Sequence, residues 1–322
     1  MSEHTPPSLP ATPAPDLIGQ VHAFLLVWYA AEQRDLPWRA TNDPYAILVS
    51  EMMLQQTQVD RVLPKYQQFL ATFPTLEALA VAPTAEVISA WVPLGYNMRA
   101  VRLQSIARQV IAEYEGRIPD SIDELLKLKG IGRYTAGAIA CFAYGKQVAT
   151  VDTNIRRVLH RIFLGIEQSR ESDAHMLELA EQVLPPGEAY PWNQALMDLG
   201  ATICTSNNPQ CSGCPLQEPC QAYQEMCQHS LFPSGTVLRQ LRKVAEKKPA
   251  YQPFTSSNRY FRGRIVDYLR TLPAEQRVPL AELGPRIKPE FSSDDFPWLQ
   301  KLVKGLARDG LVDVADEGVR LP

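Results

Sequence analysis

Apolar residues recur at helical spacing through the first two thirds of the chain. Leu17, Ile18, Val21, Phe24, Leu25, Trp28 and Tyr29 mark a helix over 16–33. Asp35-Leu36-Pro37-Trp38 breaks it. Asp43-Pro44 has the form of an N-cap followed by proline in the first helical turn. The helix it opens is apolar on most sides, with Ile47, Leu48, Val49, Met52, Met53 and Leu54. Further helices are expected near 60–71, 75–80, 84–91, 97–114, 121–128 and 134–144, joined by short Pro- or Gly-containing segments. No alternating strand pattern precedes residue 230, so this part is predicted to be all-α. Near the C-terminal side, three short helical patterns (260–272, 279–287, 295–309) precede two short strands around a Glu317-Gly318 turn. That order predicts a winged-helix-like α+β module.

The expected division is a disordered tail over 1–15, a helical domain over 16–227, a basic linker over 228–257 and the module over 258–322. The tail is rich in Pro, Ala, Ser and Thr. From Gln228 to Arg264 eight basic residues stand against Glu246 alone, which gives the linker its sign. Composition adds little beyond a globular chain: 45% hydrophobic, 21% charged, formal net charge −3. That charge speaks weakly against nucleic acid, since a local basic stripe can replace an overall excess. No apolar run is long enough for a membrane span, and the first residues lack a secretory pattern, so a cytoplasmic, nucleoid-associated protein is expected.

Four constellations suggest chemistry. Five of the six cysteines fall between Cys204 and Cys227. Four of them, Cys204-x6-Cys211-x2-Cys214-x5-Cys220, can wrap one metal centre, either a zinc ion or a [4Fe–4S] cluster; the single Cys-x2-Cys pair favours the cluster. Cys141 reads as a buried thiol and Cys227 as an ordinary one. Leu128-Lys-Gly130-Ile-Gly132-Arg-Tyr-Thr-Ala136 joins two helices through a tight turn. Its glycines permit close backbone approach, and amides opening the second helix suit a DNA phosphate, although a plain helical hairpin has the same form. Glu51 lies in the apolar helix. There it is either desolvated, which favours a protonated carboxyl fit for general-acid work, or placed on a solvated stripe. Asp152, in Val151-Asp152-Thr-Asn154, is either an N-cap alone or also a second carboxylate held ionised by helix amides. One protonated and one ionised carboxyl can cleave a glycosidic bond through an oxocarbenium-like transition state.

These motifs occur in the order Leu36-Pro37-Trp38-Arg39, Ser50-Glu-Met-Met-Leu-Gln-Gln-Thr-Gln58, Leu94-Gly95-Tyr96, Gly130–Ala138, Asp152-x-Asn154, Asn193–Gly200 and the four cysteines. The chain over 18–225 resembles the helix-hairpin-helix DNA glycosylases that carry an iron–sulfur cluster, and most of all the MutY-like adenine glycosylases. The resemblance implies that Glu51 protonates the leaving adenine and that Asp152 stabilises the sugar cation. It implies that Tyr134, standing where bifunctional relatives carry a Schiff-base lysine, makes the enzyme monofunctional. It also implies that Tyr96 is the aromatic wedge beside the opposite base, with Gln56 as its partner. Arg39, Leu54, Gln55 and Gln194 would border or read the bases, with Gly130, Gly132 and Asn154 on the DNA-binding elements. The implied cofactor is a [4Fe–4S] cluster on Cys204, Cys211, Cys214 and Cys220, and the implied partner is mispaired double-stranded DNA, bound by a monomer.

Two departures stand out. Asn97 replaces the second tyrosine usual after Leu-Gly-Tyr, which is similar to mismatch thymine glycosylases, and 258–322 lacks the pattern of a nudix-like 8-oxoguanine-reading domain. The alternatives are therefore a thymine/uracil mismatch glycosylase, against which Gln55 and Gln56 speak, and a non-catalytic DNA-binding redox regulator, against which the paired carboxyls speak.

Overall fold

A computed structural model describes residues 13–166, 171–228 and 254–322. The greater part of the expected linker, with Arg239, Arg242, Lys243, Lys247 and Lys248, and the first twelve residues of the expected tail lie outside the described residues. The described residues form two compact units: one from the stretches within 13–39 and 133–228, the other from 40–132 and 254–322.

The first unit contains α1 (Pro15–Glu32), a 3-10 turn (Pro37–Arg39), α8 (Arg133–Phe142), α9 (Thr153–Phe163), α10 (Asp173–Gln182), α11 (Ala189–Thr202) and α12 (Gln221–Gln228). Its core gathers Val21, Leu25, Ile155, Val158, Trp192 and Leu199, with Cys204 and Cys214 packed at its margin. Alpha-9 presents a sharply apolar face to α11, and the two approach closely because Gly200 has no side chain: a Cβ there would lie 2.9 Å from Cβ of Asn154.

The second unit contains α2 (Pro44–Leu54), α3 (Val59–Thr72), α4 (Leu76–Val81), α5 (Thr84–Ala90), α6 (Met98–Tyr114) and α7 (Ile122–Lys127). It then takes up α13 (Asn258–Leu269), α14 (Leu280–Ile287), α15 (Phe296–Arg308) and the antiparallel strands β1 (Asp313–Ala315) and β2 (Gly318–Arg320). Asp43 caps α2 as expected, accepting from Tyr45 N at 3.0 Å and Ala46 N at 3.4 Å.

The strand turn is displaced from the expected place. Gly318 already pairs with Ala315 inside the sheet, so Asp316 and Glu317 make the turn. The glycine answers a different need. Its φ is +133°, and a Cβ would collide with the carbonyl of Val278, which pairs with Val319. The helices and hairpin share one core, Ile265, Val266, Leu283, Leu299, Leu306 and Val319, and Ile88 of α5 belongs to it. Val101 of α6 packs against the same cluster, and Ala85 N donates to Pro322 O at 2.9 Å.

Candidate active site and nucleic-acid interface

Alpha-2 is buried on nearly every side, and Glu51 with it, at 6% exposure. The solvated-stripe alternative is thereby set aside, since Ile47, Leu48, Met52 and Met53 of the same helix are buried as well. Leu54 ends the helix, and Gln55 and Gln56 leave it, Gln56 with φ +56°. Tyr96 is the other left-handed non-glycine in this region, at φ +47°, behind Gly95 at φ +71°. Backbone held in this way away from glycine costs free energy and is characteristic of functional sites.

One residue that the sequence reading passed over secures both loops. Arg99, in the first turn of α6, is buried without a carboxylate partner among the described residues. Its Nη1 donates to the carbonyls of Met52 (3.1 Å), Met53 (2.8 Å) and Gln55 (2.6 Å), at the C-terminus of α2. Its Nη2 donates to Thr57 Oγ1 (3.0 Å), Leu94 O (3.3 Å) and Gly95 O (3.1 Å). Burial pushes its pKa down to about 10, which still leaves it charged at neutrality. The orphan carbonyls of the helix end supply the compensating negative potential.

The chain runs from α7 through Leu128–Gly132 into α8, the predicted hairpin, with Ile131 N donating to Leu128 O at 3.0 Å. The two glycines differ. Gly130 has φ +114°, and a Cβ there would collide with the side chain of Arg102; Gly132 has no positive φ and nothing within 4 Å of a Cβ. Gly132 is exposed, so neither backbone nor packing asks for glycine there, whereas close approach of a ligand would. Tyr134 follows in the first turn of α8, half-buried.

Asp152 is the N-cap of α9, accepting from Ile155 N at 2.7 Å. Burial pushes its pKa above the usual carboxylate range, although the amides of Ile155 and Asn154 and the charge of Arg157 pull it down. Burial thus opposes the ionised form that the helix amides favour. The segment leading to it is pinned by Asn193, whose Oδ1 accepts from Thr150 N (3.1 Å) and whose Nδ2 donates to Val148 O (2.9 Å). Asn154 Oδ1 accepts from Arg157, which also reaches Gly200 O (2.7 Å) and Cys204 O (2.9 Å).

Arg39 and Gln194 are brought together, but to each other: Arg39 Nε donates to Gln194 Oε1 at 2.8 Å. The Arg39 Nη atoms form a fork on Asp198 (2.8 and 2.7 Å). Asp198 also binds Arg34, and these two cations hold its buried carboxyl below the usual range against desolvation. Asp198 was not singled out in the sequence. Only its position in an apolar helix hinted at a buried charge needing partners, and those partners lie far away in sequence.

The four cysteines are half-buried on one loop. Cys211, Cys214 and Cys220 each feel the charge of other sulfurs in the set, Cys204 among them. Burial first, then those sulfurs, pushes Cys214 to about 12 and Cys220 to about 11. Arg161 Nη1 lies 3.4 Å from Cys204 Sγ. Among the described residues no three His, Cys, Asp or Glu side chains form a preformed metal-ion cage. The donor set itself suits a thiolate-ligated centre, with four thiols and a guanidinium at one sulfur. Cys141 is buried as expected, its thiol pushed to about 11 by burial, and Cys227 is exposed.

Residues 49–186 match the HhH-GPD superfamily of base excision DNA repair proteins. The chain is 42% identical over 302 residues to an adenine DNA glycosylase of Mycolicibacterium smegmatis, covering 91% of this chain and 93% of that one. The chain belongs to the adenine DNA glycosylase family. The Homo sapiens adenine DNA glycosylase is 43% identical over 234 residues, 68% of this chain but 43% of its own. A solved thermostable thymine-DNA glycosylase superposes with a TM-score of 0.62 at 34% identity, covering 65% of this chain and 98% of that one. No described helix is long and apolar enough to cross a membrane.

Proposed function

We propose that this glycosylase hydrolyses the N-glycosidic bond of adenine mispaired with guanine or 8-oxoguanine in double-stranded DNA. The observation that carries the reading is Glu51: a carboxyl buried in a largely apolar helix, at the family's motif position, is suited to hold a proton and give it up. Glu51 protonates the flipped base; the C1′–N bond breaks with its electron pair leaving on adenine. Asp152, ionised, faces the positive charge that develops on the sugar, and water adds at C1′, its released proton restoring the Glu51 acid. Tyr134 offers no amine, so the cycle stops at the abasic site. Tyr96 and Gln56 fill the space beside the opposite base; Arg39, Leu54, Gln55 and Gln194 shape the surroundings of the extruded one, Arg39 through its bonds to Gln194 and Asp198. Gly130, Gly132 and Asn154 lie on the elements that grip the backbone. Cys204, Cys211, Cys214 and Cys220 hold a [4Fe–4S] cluster, which when bound supplies a structural clasp and a redox centre. The protein acts as a monomer in the cytoplasm, at the nucleoid.

The test is single-turnover excision on A:8-oxoG, A:G, T:G and U:G duplexes with wild type and Glu51→Gln. Adenine release that falls about 10²–10⁴-fold in Glu51→Gln is expected. Release of thymine or uracil in preference to adenine would support the second reading, which Asn97 and the thymine-DNA glycosylase likeness favour. About four irons per chain in anaerobically prepared protein is expected; stoichiometric zinc instead would remove the cluster.

A further inference from the structure

Between the 92–99 loop, the end of α2 and α13 lies a cleft of about 690 Å³. Six arginines line it, Arg99, Arg102, Arg259, Arg262, Arg264 and Arg270, against one carboxylate, Asp267. Arg262 pairs with Asp309, Arg270 with Asp267, and Arg99 is spent on backbone carbonyls. Arg102, Arg259 and Arg264 have no carboxylate partner among the described residues. A chain of net charge −3 thus carries a concentrated cationic cleft, which marks an anionic ligand.

The ring of Tyr96 lies inside it. The exposed guanidinium of Arg259 sits 3.7 Å from the ring centroid, at the separation of stacked planes, while Arg99 lies 5.5 Å from the same centroid. A nucleobase stacks on an aromatic ring at that spacing and is held there more strongly than an exposed guanidinium is.

We propose that Arg259, from the C-terminal module, guards the wedge face of Tyr96 in this cleft and becomes a phosphate contact when DNA binds. Arg259 covers the Tyr96 ring until DNA arrives, yields that face to the opposite base, and turns to a phosphate of the same strand. The proposal rests on the reading of Tyr96 as the wedge of an adenine glycosylase, and it assigns a residue of the C-terminal module to the recognition site. The module is placed for this by its own packing: Ile88 and Val101 belong to or touch its core, so α13 is held against the 92–99 loop within one unit.

The test uses the full chain and a duplex carrying a non-cleavable 2′-fluoro adenosine opposite 2-aminopurine, with a second duplex carrying the fluorophore several pairs away. Binding is followed by fluorescence and repeated across salt concentrations. Wild type should quench the opposite 2-aminopurine and leave the distant one bright. Arg259→Ala should keep the quench, bind about 3–10-fold more weakly near physiological salt, and show a log K against log salt slope shallower by about 0.9, the loss of one phosphate contact. Arg259→Lys should restore the slope. An unchanged slope in Arg259→Ala, or no quench at the opposite position in wild type, overturns the proposal. Quenching and slope change without adenine excision from a cleavable duplex would overturn the proposed function and leave the cleft assignment standing.

Discussion

Asp152 is held in two directions at once. As the N-cap of α9 it accepts from Ile155, which favours the carboxylate, yet burial raises its pKa above the ordinary value. The fold therefore binds a proton at this site more tightly than the unfolded chain does. The unfavourable contribution is fully present at neutral pH and fades as pH falls through the raised folded value towards the ordinary one. Asp152→Asn keeps a good cap and removes the buried charge. We expect Tm at pH 7 to be unchanged or higher and adenine excision to fall at least about 10²-fold. We also expect the Tm difference from wild type to shrink as pH is lowered towards 4. A variant that melts earlier at pH 7 would show that the carboxylate stabilises the fold after all. Arg99 gives the opposite case, since it serves structure alone in this view. Arg99→Ala leaves several buried carbonyls unpaired and should cost about 2–3 kcal/mol by denaturant unfolding, with Arg99→Lys intermediate. Both carboxyl candidates were legible in the sequence because each sits in a motif with a local reason: an acid in an apolar helix, an acid before a helix. Arg99 and Asp198 were not. Their meaning lies in partners such as Met53 O and Arg39, which are brought close only by folding.

At the scale of elements, helical spacing placed α2, α3, α6 and the module's helices within a few residues, because an amphipathic or wholly buried helix writes its period into the chain. It could not say that α2 is buried on the side bearing Glu51, which depends on what packs there. Nor could it show that Gly318 belongs to β2, where the crowding comes from Val278. The hairpin shows what two identical residues can be asked to do. Gly130→Ala forces a side chain into a left-handed conformation against Arg102 and should lower stability by about 1–3 kcal/mol. Gly132→Ala fills open space and should leave Tm unchanged while weakening duplex binding. If Gly132→Ala binds DNA as wild type does, no ligand approaches that backbone closely.

At the scale of the whole molecule, the C-terminal module resembles an appendage in sequence, since the change of composition around 228–264 suggests a boundary. In the structure its core includes Ile88, which is wholly buried, and Val101 packs against it. Removing residues 254–322 uncovers apolar surface on α5 and α6. At about 25 cal/mol per Å² a loss of one to two large side chains' burial amounts to roughly 2–4 kcal/mol, a Tm drop of several degrees. Scanning calorimetry of the truncated chain, with its iron content measured alongside, checks this; an unshifted Tm would make the module a passive passenger. Reading that coupling from sequence was not possible, because Ile88 and Val101 look like ordinary residues of their own helices.

The hydrogen bond from Ala85 and the burial of Ile88 also bear on how the protein is made. Each unit is assembled from two stretches, and the stretches of one are interrupted by those of the other. On a ribosome, α5 leaves the exit tunnel long before the C-terminal residues that share its core have been translated. Until then Ile88 remains an exposed sticky patch on a nascent chain, which is where a chaperone would be expected to wait.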